Sequence, residues 1–119
     1  MEDLLNHQPV AGHYASALQK FYKAAFDNGQ YDFHSGAKLH RAPQETGYEI
    51  LHHLILNDAE FCFDGPAHRE VYKAWQKRFE RLHMLREFMG EDFVKAFLDC
   101  LLRIDHHSLC RVHGIIARK

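Results

Sequence analysis

The stretch DHHSLCRVH at 105–113 puts three imidazoles and a thiol into nine residues. Neutral imidazole and thiolate are good ligands for zinc and similar transition ions. On a helix, at about 100° per residue, His106, Cys110 and His113 fall within one narrow strip. That trio is the candidate metal set, for zinc or another transition metal. Three ligands spaced along a straight rod cannot all reach one ion, so a loop or a second helix must contribute, with His52-His53 and the loop histidines as sources. Paired CxxC units and a Gly-rich phosphate loop are absent, and no organic cofactor is expected.

A second chemistry lies in charges that interrupt apolar arcs. Asp105 falls between Leu98/Leu101 and Leu109/Val112 if the last helix runs through all of them, and Asp58 sits inside the arc of the second. Arg78 and Arg86 border the stripe of the third. An unpaired buried charge costs several kcal/mol, so these groups need partners. An aspartate–arginine pairing across the bundle is the natural expectation, as a packing device or a ligand site. Asp58 also suits a helix cap.

Arg78-x4-His83 is similar in spacing to the Arg-x4-6-His motif of the HEPN-type RNases, which are small, all-α and often dimeric. The resemblance implies an arginine that steadies a phosphate and a histidine that moves a proton. Phe79 stands where that motif usually carries a polar residue. Glu49-x-x-His52 is an ExxH step of the kind used in di-iron bundles, an architecture that also needs further glutamates facing the core.

For binding, Lys73, Lys77 and Arg81 follow an i, i+4, i+8 line on one face of the third helix, diluted by Glu70 and Glu80. The segment 29–43, GQYDFHSGAKLHRAP, shows neither a strand nor a helix period and reads as one long loop. It carries the cations His34, Lys38, His40 and Arg41. Tyr31, Phe33 and Arg41 are residue types that anchor interfaces well. Tyr31, Phe33, Lys38, Arg41, Lys73, Lys77 and Arg81 are therefore the candidate partner-binding set.

These side chains must be held by the elements that hydrophobic periodicity predicts. Val10, Tyr14, Ala17, Leu18, Phe21 and Ala25 form one helical face, begun by Pro9 and stopped at Asn28-Gly29. A second helix is expected after Pro43, through Ile50, Leu51, Leu54, Ile55, Phe61 and Cys62. A third, from Val71 through Trp75, Phe79, Leu82 and Leu85 to Met89, is expected to stop at Gly90. The fourth takes Phe93, Val94, Phe97, Leu98, Leu101, Leu102, Leu109 and Val112, and frays at Gly114. The expected fold is all-α: a single helical domain over 1–119, with about four amphipathic helices and the long loop at 29–43. The unbroken third stripe leaves a homodimer open.

Composition bounds the function. At 119 residues the chain fits one domain, and 46% hydrophobic with 26% charged residues is ordinary for a globular protein. Fifteen basic against sixteen acidic residues give a net charge of −1, which argues against a general nucleic-acid coat. Eleven histidines are several-fold above the usual frequency. Three cysteines in apolar contexts read as reduced thiols, and the acidic start MEDLLNHQPV lacks a secretion signal. No run is apolar enough for a membrane span, so a cytoplasmic protein is expected. The reading is a small non-enzymatic binding protein, a regulator, adaptor or inhibitor whose partner is a protein, with nucleic acid less favoured. A His/Cys metal protein is the alternative, and an RNase of HEPN type the third reading.

Overall fold

A computed structural model describes residues 3–39 and 41–119. After a 3-10 turn at Asp3–Asn6 come β1 (His7–Gln8), α1 (Val10–Asp27), α2 (Ser35–Lys38), α3 (Arg41–Glu45) and β2 (Glu49–Leu56). Then follow α4 (Arg69–Arg81), α5 (His83–Met89), α6 (Glu91–Leu101), β3 (His107–Ser108) and β4 (Val112–Arg118).

The architecture is mixed α/β, which corrects the all-α expectation. Two small antiparallel sheets, β1–β3 and β2–β4, accompany the helices. The apolar run predicted as a second helix is the strand β2, paired with the C-terminal strand β4 from Glu49↔Arg118 to Leu56↔Val112. A short run of Ile and Leu suits either a helix or a strand, and a pairing partner decides between them. Here that partner lies about 60 residues away. The fourth helix likewise ends at Leu101, because the chain after it turns back to pair with β1 and then with β2.

Two further expectations change. The stripe from Val71 to Met89 is broken at Leu82 (φ −88°, ψ 62°), so it serves two helices. Residues 29–43 hold the short helices α2 and α3, with Asp32 capping the turn before α2 by accepting the His34 N–H at 2.9 Å. By contrast, α1 ends where Asn28-Gly29 permits it. The Asn28 N–H bonds the Ala24 carbonyl at 3.0 Å, and Gly29 takes φ +66°, a conformation costly for any residue with a Cβ.

The core is one aromatic-rich cluster. Trp75, Phe79, Phe93 and Phe97 pack against each other, and α1 adds Leu18, Phe21, Tyr22 and Ala25. Trp75 is tied to the segment before α4 by its Nε1–H, which donates to the Glu60 carbonyl at 2.8 Å. The apolar stripe of the third predicted helix is consumed here, inside one chain: Trp75, Phe79 and Leu85 are all buried.

β2 and β4 lie largely outside this core. They pack on each other, and among the described residues α3 is the other element that lies substantially against β2. The radius of gyration is 15.7 Å, against about 13.5 Å for a compact chain of this length. Among the described residues no helix is long and apolar enough to cross a membrane.

Candidate interaction surface

The β2–β4 ribbon is the feature that burial does not explain. From His52↔Ile116 to Leu56↔Val112 the register is regular, after an irregularity between Ile50 and His52. Alternation then gives two faces. His53, Ile55, His113 and Ile115 share one; His52, Leu54, Leu56, Val112, Gly114 and Ile116 share the other. Both faces are apolar, yet Ile55 is 59%, Leu56 48%, Leu54 42% and Ile116 48% exposed. Gly114 leaves room on its face for Leu56, whose Cδ1 lies 3.3 Å from where a Cβ would stand. An isolated two-stranded ribbon is marginal in water, and its apolar side chains and strand edges invite contact.

On the first face the His53 Nε2 and His113 Nδ1 lie 2.9 Å apart, with ring centres at 5.1 Å. They are a diagonal pair, since His53 directly opposes Ile115 and Ile55 opposes His113.

A second histidine pair is buried. His7, on β1, and His106, beside β3, are brought together by the β1–β3 pairing, with His7 Nδ1 to His106 Nε2 at 2.8 Å. His106 Nδ1 lies 3.1 Å from the Gly65 carbonyl, which can only accept. His106 therefore carries its proton on Nδ1, its Nε2 is the acceptor, and His7 Nδ1–H donates. Phe63, Trp75 and Phe97 enclose the His7 ring, with centres 5.0–5.9 Å away. Burial in this apolar cage, then the charges of His106 and Arg78, lower the His7 pKa to about 3. Burial lowers His106 too, partly offset by the Gly65 bond. Both rings are neutral near pH 7. Among the described residues His7 Nε2 and Arg78 Nη1 are buried without a hydrogen-bond partner.

The predicted site residues are dispersed. His106, Cys110 and His113 are not on a helix: His106 is buried against His7, Cys110 is buried, and His113 meets His53 on the ribbon. Among the described residues no three His, Cys, Asp or Glu side chains gather as metal ligands do. Asp105 is exposed and takes a bidentate pair from Arg103, at 2.6 and 2.7 Å, which holds its carboxyl below the usual range. Asp58 accepts the Glu60 N–H at 2.9 Å in a turn. In place of the expected aspartate–arginine pairs across a bundle, Arg86 pairs with the nearby Glu91 and Arg78 with Glu60 of the segment before α4.

Arg78 also lies over the Phe61 and Trp75 rings, at 4.4 and 4.5 Å, while His83 is exposed at the start of α5. The break at Leu82 separates the two residues of the RNase-like spacing. Phe33, expected to anchor a partner, is only 2% exposed and stacks on Tyr22 in the core. Tyr31 is exposed beside it, Lys38 pairs with Asp32 at 2.8 Å, and Arg41 is exposed on α3. Lys73, Lys77 and Arg81 are exposed on α4, as are Glu70 and Glu80. His40 lies outside the described residues.

Nor is the buried Cys100 thiol poised as a nucleophile. Cys100 lines a shallow groove between α1 and α6 with His13, Asp99 and Arg103, but burial pushes its pKa up and keeps it protonated. The ribbon, and with it the His53–His113 pair, had one sequence signal: Ile, Leu and Val crowded into two short runs. His7 had none, being a lone histidine near the N-terminus. No protein-family model matches the chain, and no curated protein or solved structure shows detectable similarity to it.

Proposed function

We propose that this chain is a binding protein that acts by contact with another protein, as a regulator, adaptor or inhibitor, and that the β2–β4 ribbon is its contact surface. One observation carries this reading: a ribbon with Leu54, Leu56 and Ile116 exposed on one face and Ile55 on the other. Leaving such side chains in water forgoes burial worth roughly 1.5–3 kcal/mol each when complete. A partner protein that covers the Leu54–Leu56–Ile116 face recovers it, and the open edges of β2 and β4 can add a strand from that partner. Tyr31, Arg41 and the α4 cations supply secondary polar and aromatic contacts. Three cysteines outside any disulfide, two of them buried, suit a reducing compartment such as the cytoplasm.

The test is affinity capture from the native host with the wild-type chain and a Leu54→Glu/Ile116→Glu variant, each checked for helical content and a cooperative melt. A protein held by the wild type, lost by the variant, and protecting β2 and β4 amides from exchange supports the reading. A partner retained by the variant with those amides unprotected overturns it.

A further inference from the structure

We infer that the His53–His113 face of the ribbon is half of a site for a zinc-like divalent transition ion, and that a second copy of this chain supplies the other half. The four residues of that face form a checkerboard. His53 opposes Ile115, Ile55 opposes His113, and so the imidazoles occupy one diagonal and the isoleucines the other.

The imidazoles are already spaced for a metal. Two rings bound to one tetrahedral ion at about 2.0–2.1 Å have centres about 5.2 Å apart and ligand nitrogens about 3.4 Å apart. Here the centres are 5.1 Å apart and the nitrogens 2.9 Å. A small tilt of each ring turns the nitrogen pair from facing each other to facing one ion. The ring that now donates the shared proton moves it to its other nitrogen, so two neutral imidazoles bind the cation with no net proton release. Both Nδ1 and Nε2 are competent zinc ligands.

Two ligands fill half of a tetrahedral shell. Among the described residues no third His, Cys, Asp or Glu joins them. A two-fold contact supplies an identical pair by symmetry. Sheets packed face to face stand about 10 Å apart, which puts an ion at the midplane about 5 Å from each backbone, within the reach of histidine side chains. Ile55 and Ile115 of each copy then close around the ion and exclude water. The occupant of this face is therefore a second copy. The opposite face, with Leu54, Leu56 and Ile116, stays free for the protein partner proposed above, and neither proposal depends on the other.

The test is sedimentation of the tag-free protein with zinc chloride and then with excess chelator. The expected result is a mass that doubles on zinc addition at one zinc per two chains and reverts with chelator. Cobalt(II) substitution is expected to give the intense visible absorption of a tetrahedral site. His53→Ala and His113→Ala each weaken zinc binding at least tenfold and abolish the dimer, whereas His52→Ala on the other face changes neither. Failure to bind zinc, one zinc per chain without a change of mass, or a dimer indifferent to chelator overturns the inference. So does zinc binding that survives the double His53→Ala/His113→Ala variant. The chelator arm uses the wild-type chain alone, so a misfolded variant leaves the test intact.

Discussion

His7 Nδ1 donates to His106 Nε2 over 2.8 Å, although 99 positions separate the two histidines in the chain. The bond closes the N-terminal strand onto the segment that follows α6, at the centre of the aromatic core. It fixes the protonation of both rings, because His106 spends its own proton on the Gly65 carbonyl.

Acid should therefore loosen this protein earlier than its carboxylates would. The folded-state pKa of His7 is depressed to about 3 and that of His106 is lowered, against an ordinary value of 6.5. Below pH 6.5 the unfolded chain takes up protons that the folded chain refuses. Stability is thus full above about pH 6.5 and falls as the pH drops toward 3. The slope is roughly 1 kcal/mol per pH unit from His7, with a smaller contribution from His106. Urea midpoints between pH 7.5 and 4.5 measure this before most carboxylates titrate. His7→Phe keeps an aromatic ring in the cage and is expected to flatten the profile, while lowering stability at pH 7.5 by about 1–3 kcal/mol for the unpaired His106 acceptor.

Trp75→Phe separates packing from hydrogen bonding. The ring remains in the core, but the Glu60 carbonyl loses its indole donor. A loss of about 1–2 kcal/mol is expected by chemical denaturation followed by circular dichroism. Trp75→Ala, which also opens a cavity, costs about 3–5 kcal/mol.

Arg78 holds its place by stacking on Phe61 and Trp75 as much as by its pair with Glu60. Arg78→Met keeps much of the stem and loses about 1–2 kcal/mol of stability. Removing this charge also takes away one of the causes that depress His7. The acid loss of the variant should therefore end at a higher pH and be smaller in total, with its slope above pH 4.5 unchanged in the same urea series.

The Arg103–Asp105 pair makes a contrasting prediction. Both side chains are more than half exposed, so solvent and salt screen their attraction. Asp105→Asn is expected to leave the urea midpoint unchanged at pH 7.5, where a buried aspartate paired across a bundle would have produced a large loss.

The ribbon should open independently of the core. β2 and β4 bury few side chains, so their amides are expected to exchange orders of magnitude faster than those of α6 in the protein alone. Ile55→Thr should leave the global midpoint unchanged. Uniform protection of ribbon and core in the isolated chain would contradict this.

Periodicity alone was enough for the helices whose information is local. α1 follows from the three- and four-residue recurrence of Val10 to Ala25 and from a glycine able to take positive φ at its end. The stop at Gly90, at φ +84°, is equally local. The aromatic stripe through Trp75 and Phe79 marked the core for the same reason, since one helix face must be hidden. Tertiary structure decided everything that depends on residues far apart. Glu49–Leu56 becomes a strand because Val112–Arg118 returns to pair with it, and the histidines that looked like one helical metal strip divide between a buried pair with His7 and a surface pair with His53. Helical hydrogen bonds join neighbours four residues apart and leave a period in the sequence. Strand pairing and imidazole contacts join distant residues, and no spacing along the chain records which ones will meet.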